Sequence, residues 1–460
     1  MMRGSACIER NHSGSLVPSA SRAGTKKRER DSRFELLRIV CMMLIVLHHF
    51  ALHGEWTGDI PRVFIDWISM GGKVGVDCFI FISAYFLIRS RFKIRSLLRV
   101  VLETLFYSLV ILAVMVFVDP SQVTTQSIEQ AFTPVSSYLY WFVSSYVVMV
   151  LLSPFMNRFL LSISREEHRR LILVIFAFLC MLPTAFSSTF LESGVLWFLF
   201  LYILAAYWRL YGVRVRPAVA AGMLVVGVGA MMANSAMINL CVSLIPSHTT
   251  ASIAPRLVCI AALVACTILL WRMRRSRAVW AIAVLWVAID LALSVTLGVS
   301  DVWSDSQRLA GLNQAPPLAA AAGLFMLFAS MRPFSAHWIN VLASCAFGVY
   351  LIHENPMVCH ELWQHNYLLE ALPTPALYVA AVGIAAGVYL ACAIVDLVRQ
   401  HALERPVMAL IDRGVCGKVL DRVDAWFNGE AAQTRPIAAS DMRGAASVQG
   451  GGAGERGESR

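Results

Sequence analysis

Apolar residues run through this chain in long unbroken stretches. They show neither the 3.6-residue stripe of a soluble amphipathic helix nor the alternation of a half-buried strand. A helix that crosses a bilayer needs roughly 20 mostly apolar residues. About twelve stretches approach that pattern: 34–53, 71–88, 97–118, 138–160, 171–188, 193–211, 217–236, 254–271, 278–298, 317–331, 338–355 and 375–397. The least regular begins at Pro317, and the stretch from Pro217 has room to run on toward Leu244. The pattern predicts an all-α, polytopic transmembrane helical bundle of about 10–12 spans.

Composition agrees. Of 460 residues, 58% are hydrophobic and 15% charged, against roughly a quarter charged in a soluble domain. The formal net charge of +10 raises the question of nucleic acid, and the placement of the charges answers it. Basic residues cluster before the first span (Lys26, Lys27, Arg28, Arg30, Arg33) and recur after every second one. They are Arg89, Arg91, Lys93 and Arg95; Arg158, Arg165, Arg169 and Arg170; Arg209, Arg214 and Arg216; Arg272, Arg274, Arg275 and Arg277; Arg332; and Arg399 and Arg405. The opposite connections hold Arg62 and Arg308, with Lys73 and Arg256 at helix ends. This alternation is a topology signal that puts both termini in the cytoplasm. It survives a miscount by a pair of helices but not by one. The expected surroundings are a cell membrane, with the lipid bilayer and not nucleic acid as partner.

Residues 1–33 read as a polar, basic, disordered tail without the short apolar core and cleavage site of a signal peptide. Residues 34–400 form the membrane domain. Within 401–428, the segment Pro406–Phe427 sets Val407, Leu410, Ile411, Val415, Val419, Val423, Trp426 and Phe427 among charged residues. That is the signature of an interfacial amphipathic helix, though Gly414 and Gly417 weaken it. Residues 429–460 read as a disordered tail. The 11 cysteines stand singly in apolar runs, without disulfide or metal-ligand spacing. No metal is expected.

Ionisable residues inside spans carry the chemistry, because each costs several kcal/mol or needs a partner or a cavity. The first span holds Glu35, Arg38, His48, His49 and His53. Eleven helical steps lead from Arg38 to His49, about 20° past three full turns and about 16 Å along the axis. The two side chains therefore share one face, and His48 does not. Glu35 lies one turn before Arg38 and can pair with it. A structural reading remains beside this one: an interfacial ion pair, and histidines bonded to neighbouring helices. Further candidates are Asp77, Ser83 and Tyr85 in the second span, Arg95 and Arg99 at the start of the third, and the pair His353–Glu354 at the end of Tyr350-Leu351-Ile352-His353-Glu354. Gly71, Gly72 and Gly75 suit close helix packing, and Trp141 suits an interfacial anchor.

Three patches resemble the acyltransferase type 3 family. Glu35, Arg38 and His49 match its opening helix of an acid, an Arg and, after ten intervening residues, a His. Gly75-Val76-Asp77-Cys78-Phe79-Ile80-Phe81-Ile82-Ser83-Ala84-Tyr85 resembles its second helix, with Ala84 where the family has Gly. Phe347-Gly348-Val349-Tyr350-Leu351-Ile352-His353 resembles its late Tyr-Leu-(Ile/Trp)-His helix. The resemblance spans about 32–400. It departs at Glu35, where Asp is commoner, and at Arg95 and Arg99, which have three intervening residues instead of two.

The resemblance implies transfer of an acyl group, with acetyl expected, from cytoplasmic acyl-CoA to a hydroxyl of a cell-surface or lipid-linked carbohydrate. It implies His49 as general base or transient acyl carrier, Arg38 orienting the donor, Glu35 fixing Arg38, and Arg95 and Arg99 catching CoA. Acyl-CoA is then a co-substrate and no cofactor is bound permanently. A separate extracytoplasmic transferase would have to supply any second step. Two other classes remain: a proton-coupled secondary transporter, against which the chain shows no half-repeat, and a non-enzymatic membrane sensor or scaffold.

Overall fold

The computed structural model describes residues 31–56, 60–186, 192–244, 306–364 and 371–429, with a few isolated positions between them. Among these residues every regular element is helical. The first half comprises α1 (Ser32–His53), α2 (Arg62–Ser69), α3 (Gly71–Leu87), α4 (Ile94–Val118), α5 (Thr125–Phe132) and α6 (Trp141–Ser162). It continues with α7 (Arg165–Phe176), α8 (Leu182–Phe186), α9 (Gly194–Leu210) and α10 (Pro217–Leu244). The second half holds α11 (Ala315–Ser330), α12 (His337–Ser344), α13 (Ala346–His353), α14 (Pro356–Trp363), α15 (Thr374–Arg399), α16 (Arg405–Ile411) and α17 (Gly414–Asn428).

Among the described residues, six helical units are long and apolar enough to cross a membrane, and α9, α11 and the α12–α13 pair are shorter apolar helices. The chain is a membrane-embedded, all-α polytopic bundle. The stretch from Pro217 does run on to Leu244. The stretch 338–355 breaks at Cys345 into α12 and α13, and 71–88 is preceded by α2 as one helical unit. The predicted span 171–188 is not among the apolar units. Its place is taken by α7, a π turn over Ala177–Met181, and α8, and α7 opens on a polar turn with a Ser164–Glu167 capping box. The predicted spans 254–271 and 278–298 lie outside the described residues, as do most of 1–33 and 429–460.

Helix α1 is the hub, touching α2, α3, α11, α12, α13, α14 and α15. Its contact with α3 is backbone-close: a Cβ on Gly75 would lie 2.7 Å from the carbonyl oxygen of Cys41. Only glycine admits that approach without displacement. Among the described residues, six cysteines, Cys41 and Cys78 among them, are free and buried, and Cys416 is free and exposed. They behave as small apolar residues.

At the far end of the chain α15 widens into a π turn over Gln400–Glu404 before α16. Pro406 follows at the start of α16 and has no N–H to continue the ordinary ladder. Helix α17 then docks on the start of α4. The Asn428 amide donates to the Phe92 carbonyl at 3.0 Å and its oxygen accepts from the Phe92 N–H at 3.0 Å. The Asp424 carboxylate accepts from the Ile94 N–H at 2.6 Å. Phe427 packs on Phe92 with ring centroids 4.4 Å apart, while Val415, Val419 and Trp426 remain exposed.

Candidate active site

One face of α1 lines a cavity of about 440 Å³. Glu35, Arg38, Met42, Ile45 and His49 all contribute to its wall, in the alternating three- and four-residue steps of a single helical stripe. The cavity thus joins the guanidinium of Arg38 to the imidazole of His49. Helix α3 adds Gly72, Lys73, Val76, Phe79 and Ser83, and α6 adds an aromatic wall of Trp141, Phe142 and Tyr146.

At the histidine end, His49 is 6% exposed and His353 fully buried. His353 and Glu354 arrive there because α13 stops at His353 and the chain turns. Asn355 accepts from the Met357 N–H at 3.1 Å, capping α14, and Pro356 opens that helix. Asn355 also donates to the Tyr140 hydroxyl at 2.9 Å, and that hydroxyl donates to the Leu351 carbonyl at 3.0 Å, tying the turn to α13. Nδ1 of His49 lies 2.9 Å from Nε2 of His353 and 2.8 Å from Oε2 of Glu354.

The partners fix the tautomers. Nδ1 of His353 bonds the Val349 carbonyl at 2.6 Å; a carbonyl only accepts, so Nδ1 carries the proton and Nε2 keeps a lone pair. Nδ1 of His49 therefore faces two acceptors and carries its own proton, which leaves Nε2 of His49 as the basic nitrogen. This is the relation of a base to an orienting carboxylate seen in catalytic triads. His53 Nε2 lies 3.3 Å from the same Oε2 of Glu354. His48 also reaches the cavity wall, but its Nδ1 is held by the Ser69 carbonyl at 2.6 Å. Lys73 lines the wall with its ammonium 5.4 Å from the centroid of the Trp141 ring.

The arginine end is built from paired charges. Arg38 donates to Glu35 at 2.7 Å, which occupies one of its five N–H donors. Arg99 meets Glu404 at 3.0 Å. Arg399, only 6% exposed, bonds Glu103 at 2.9 Å, Asp396 at 2.7 Å and Glu404 at 2.9 Å. Asp396 also accepts from the Tyr107 hydroxyl at 2.8 Å and from Gln400 at 2.7 Å. Arg99, Glu103, Arg399, Gln400 and Glu404 all line the cavity.

Of the residues singled out from the sequence, Glu35, Arg38, His49, Ser83 and Arg99 line the cavity, and His353 and Glu354 stand behind His49. Arg95, Asp77 and Tyr85 do not line it. Arg95 is held by Asp412 at 2.6 Å, Asp421 at 2.8 Å and the Gly417 carbonyl at 3.1 Å. Asp77 is fully buried and accepts from the Trp197 indole at 2.8 Å. Tyr85 packs under Arg209, whose guanidinium carbon is 4.7 Å from its ring centroid. Trp141, expected as an interfacial anchor, faces the cavity instead. Lys73, Glu103, Arg399, Gln400 and Glu404 were not foreseen as wall residues. Glu103 is an acid inside the predicted span 97–118, and the other four are ionisable or amide groups at or near a predicted span end.

The family model of an acyltransferase domain, Acyl_transf_3, matches residues 31–288, more than half of the chain. The chain belongs to this family. The matched segment of this membrane acyltransferase carries Glu35, Arg38, His49 and Arg99, while His353, Glu354 and Arg399 lie beyond it. Nothing matches the acyltransferase among curated proteins or among solved structures.

Proposed function

We propose that this acyltransferase moves an acyl group, acetyl in the first instance, from acyl-CoA to a hydroxyl of a cell-surface or lipid-linked carbohydrate. The observation that carries the reading is the single cavity wall running from Glu35 and Arg38 to His49 along one stripe of α1. The donor enters at the arginine end, which the alternation of basic connections assigns to the cytoplasm. Arg38 and Arg99 offer donors to its phosphates, and the aromatic wall of α6 accommodates the apolar stretch of the pantetheine arm.

At the other end Nε2 of His49 removes the acceptor's hydroxyl proton as the oxygen attacks the thioester carbonyl. The C–O bond forms, the C–S bond breaks, and the CoA thiolate leaves, taking up a proton to become the thiol. Glu354 and His353 hold the imidazole in the tautomer that keeps Nε2 basic. Lys73 supplies positive charge to the same wall for the tetrahedral oxyanion.

The test is transfer of labelled acetyl from acetyl-CoA in proteoliposomes supplied with candidate glycan acceptors. His49→Ala lowers the transfer rate by about 10²–10⁴-fold, the range for loss of a positioned base. An unchanged rate removes His49 from the mechanism. Solute uptake without release of CoA would point to a transporter instead.

A further inference from the structure

The atoms around His49 are also a set of metal donors. Nδ1 of His49, Nε2 of His353 and an Oε of Glu354 lie within 4.8 Å of one another, and Nε2 of His53 is 3.3 Å from Oε2 of Glu354. Around a tetrahedral zinc ion, nitrogen donors about 2.0–2.1 Å from the metal lie roughly 3.3 Å from each other. Nδ1 of His49 stands 2.9 Å from Nε2 of His353 and 2.8 Å from Oε2 of Glu354, so those two pairs need to open by only about half an ångström to reach that spacing, while His53, 3.3 Å from Glu354, falls outside the 4.8 Å set of the other three and must swing inward to serve as a fourth donor. His353 is already set as metal-ligating histidines usually are, with its other ring nitrogen on a backbone carbonyl at 2.6 Å. Two or three imidazoles and one carboxylate select zinc-like ions over magnesium or calcium, which favour all-oxygen shells.

We propose that His49, His353 and Glu354, with His53 as fourth donor, form a site for a divalent transition ion of the zinc class, and that the ion inhibits acyl transfer. The inhibition clause rests on the role given to His49 above; the site itself does not. The logic is one of tautomers. Transfer requires the proton on Nδ1 of His49 and the lone pair on Nε2. A metal takes the Nδ1 lone pair, so the single proton of the neutral ring moves to Nε2 and the base is lost. No proton need leave the site, because Nε2 of His353 already holds a lone pair and Glu354 binds as carboxylate. The ion and the shared proton are therefore alternative occupants of the same atoms. His53, with its side chain 31% exposed, is the most accessible of the four donors and marks the side from which an ion arrives.

The experiment uses full-length protein purified with a tag that contains no histidine and stripped with a chelator. Co(II) is titrated as a spectroscopic probe, and Zn(II) is then added both to displace it and to the acetyl-transfer assay. The expected result is one Co(II) per chain with the visible bands of a four-coordinate site, displaced by Zn(II). Zinc should slow transfer at least tenfold, and magnesium should not. His53→Ala should raise the zinc concentration for half-inhibition about tenfold, measured against that variant's own zinc-free rate. Glu354→Gln should abolish the four-coordinate Co(II) bands, which tests the site even if His53→Ala folds poorly.

Active protein that gives no such bands overturns the site and leaves the acyltransfer reading standing. Bands from protein that transfers nothing keep the site and overturn the inhibition clause together with that reading. Zinc inhibition that is the same in wild type and His53→Ala, with bands that persist in Glu354→Gln, places the ion elsewhere and overturns the proposal.

Discussion

The two ends of the cavity are built on different principles. At the arginine end, cations and carboxylates are interlocked: Arg38 with Glu35, Arg99 with Glu404, and Arg399 with Glu103, Asp396 and Glu404. At the histidine end a single carboxylate, Glu354, is shared between His49 and His53, with His353 bonded to His49 from behind. The first arrangement sets three guanidiniums against four carboxylates, and on the proposed reading a polyanion would take arginine donors that those carboxylates now occupy. The second aims the Nδ1 proton of His49 at two acceptors, Nε2 of His353 and Oε2 of Glu354. On the proposed reading, binding and chemistry fall at opposite ends, and the length of α1 between them sets how far the donor would have to reach.

That division can be broken by three substitutions, assayed with chelator present. The largest effect is expected from Glu354→Gln, which removes the carboxylate that orients His49. The turnover number should fall about 10–100-fold, the usual scale for loss of an orienting partner, with the KM for acyl-CoA unchanged. A raised donor KM with intact turnover would place Glu354 in binding and collapse the distinction. Next is Arg38→Ala. Loss of hydrogen bonds to a charged group is worth about 1.5–3 kcal/mol, so the donor KM should rise tenfold or more while single-turnover transfer at saturating donor changes far less. Equal losses in both would mean that Arg38 acts in the chemical step.

The smallest effect, and the one that sharpens the picture most, is Glu404→Gln. If Glu404 occupies arginine donors that a phosphate would take, neutralising it should lower the donor KM roughly threefold. That is within the modest range of a partly exposed ion pair, and the gain should shrink as salt is added. A higher KM would make Glu404 a support for the arginines rather than a competitor.

What was legible in the sequence was whatever depended on one helix. The spacing of Glu35, Arg38 and His49 fixes their common face by helical geometry alone, and all three line the cavity. The pairing of Arg38 with Glu35 was readable for the same reason. Apolar run lengths gave the all-α bundle and most of its long helices. What was not legible depended on which helices meet. His353 stands 304 positions from His49, and no local pattern announces their contact. Trp141 and Lys73 have the sequence features of membrane-edge residues, and only the packing of α3 on α1 and of α6 on α9 turns them inward. Arg95 and Arg99 sit one turn apart, yet Asp412 and Asp421 hold the first away from the cavity, while the second, paired with Glu404, stays on its wall. Arg399 reads as a topology charge because nothing near it in sequence discloses Glu103.

The clasp between α17 and the start of α4 bears on how the protein is made. The first turn of α4 begins at Ile94, and the carboxylate that caps its amide belongs to Asp424, 330 residues downstream. During synthesis α4 must enter the membrane with that amide satisfied only by water or lipid headgroups. Its beginning acquires its native partner after nearly everything else has been threaded and packed. Helix α17 therefore closes the described bundle as a latch, and truncation ahead of Asp424 would leave a bundle whose helix α4 frays from its first residue.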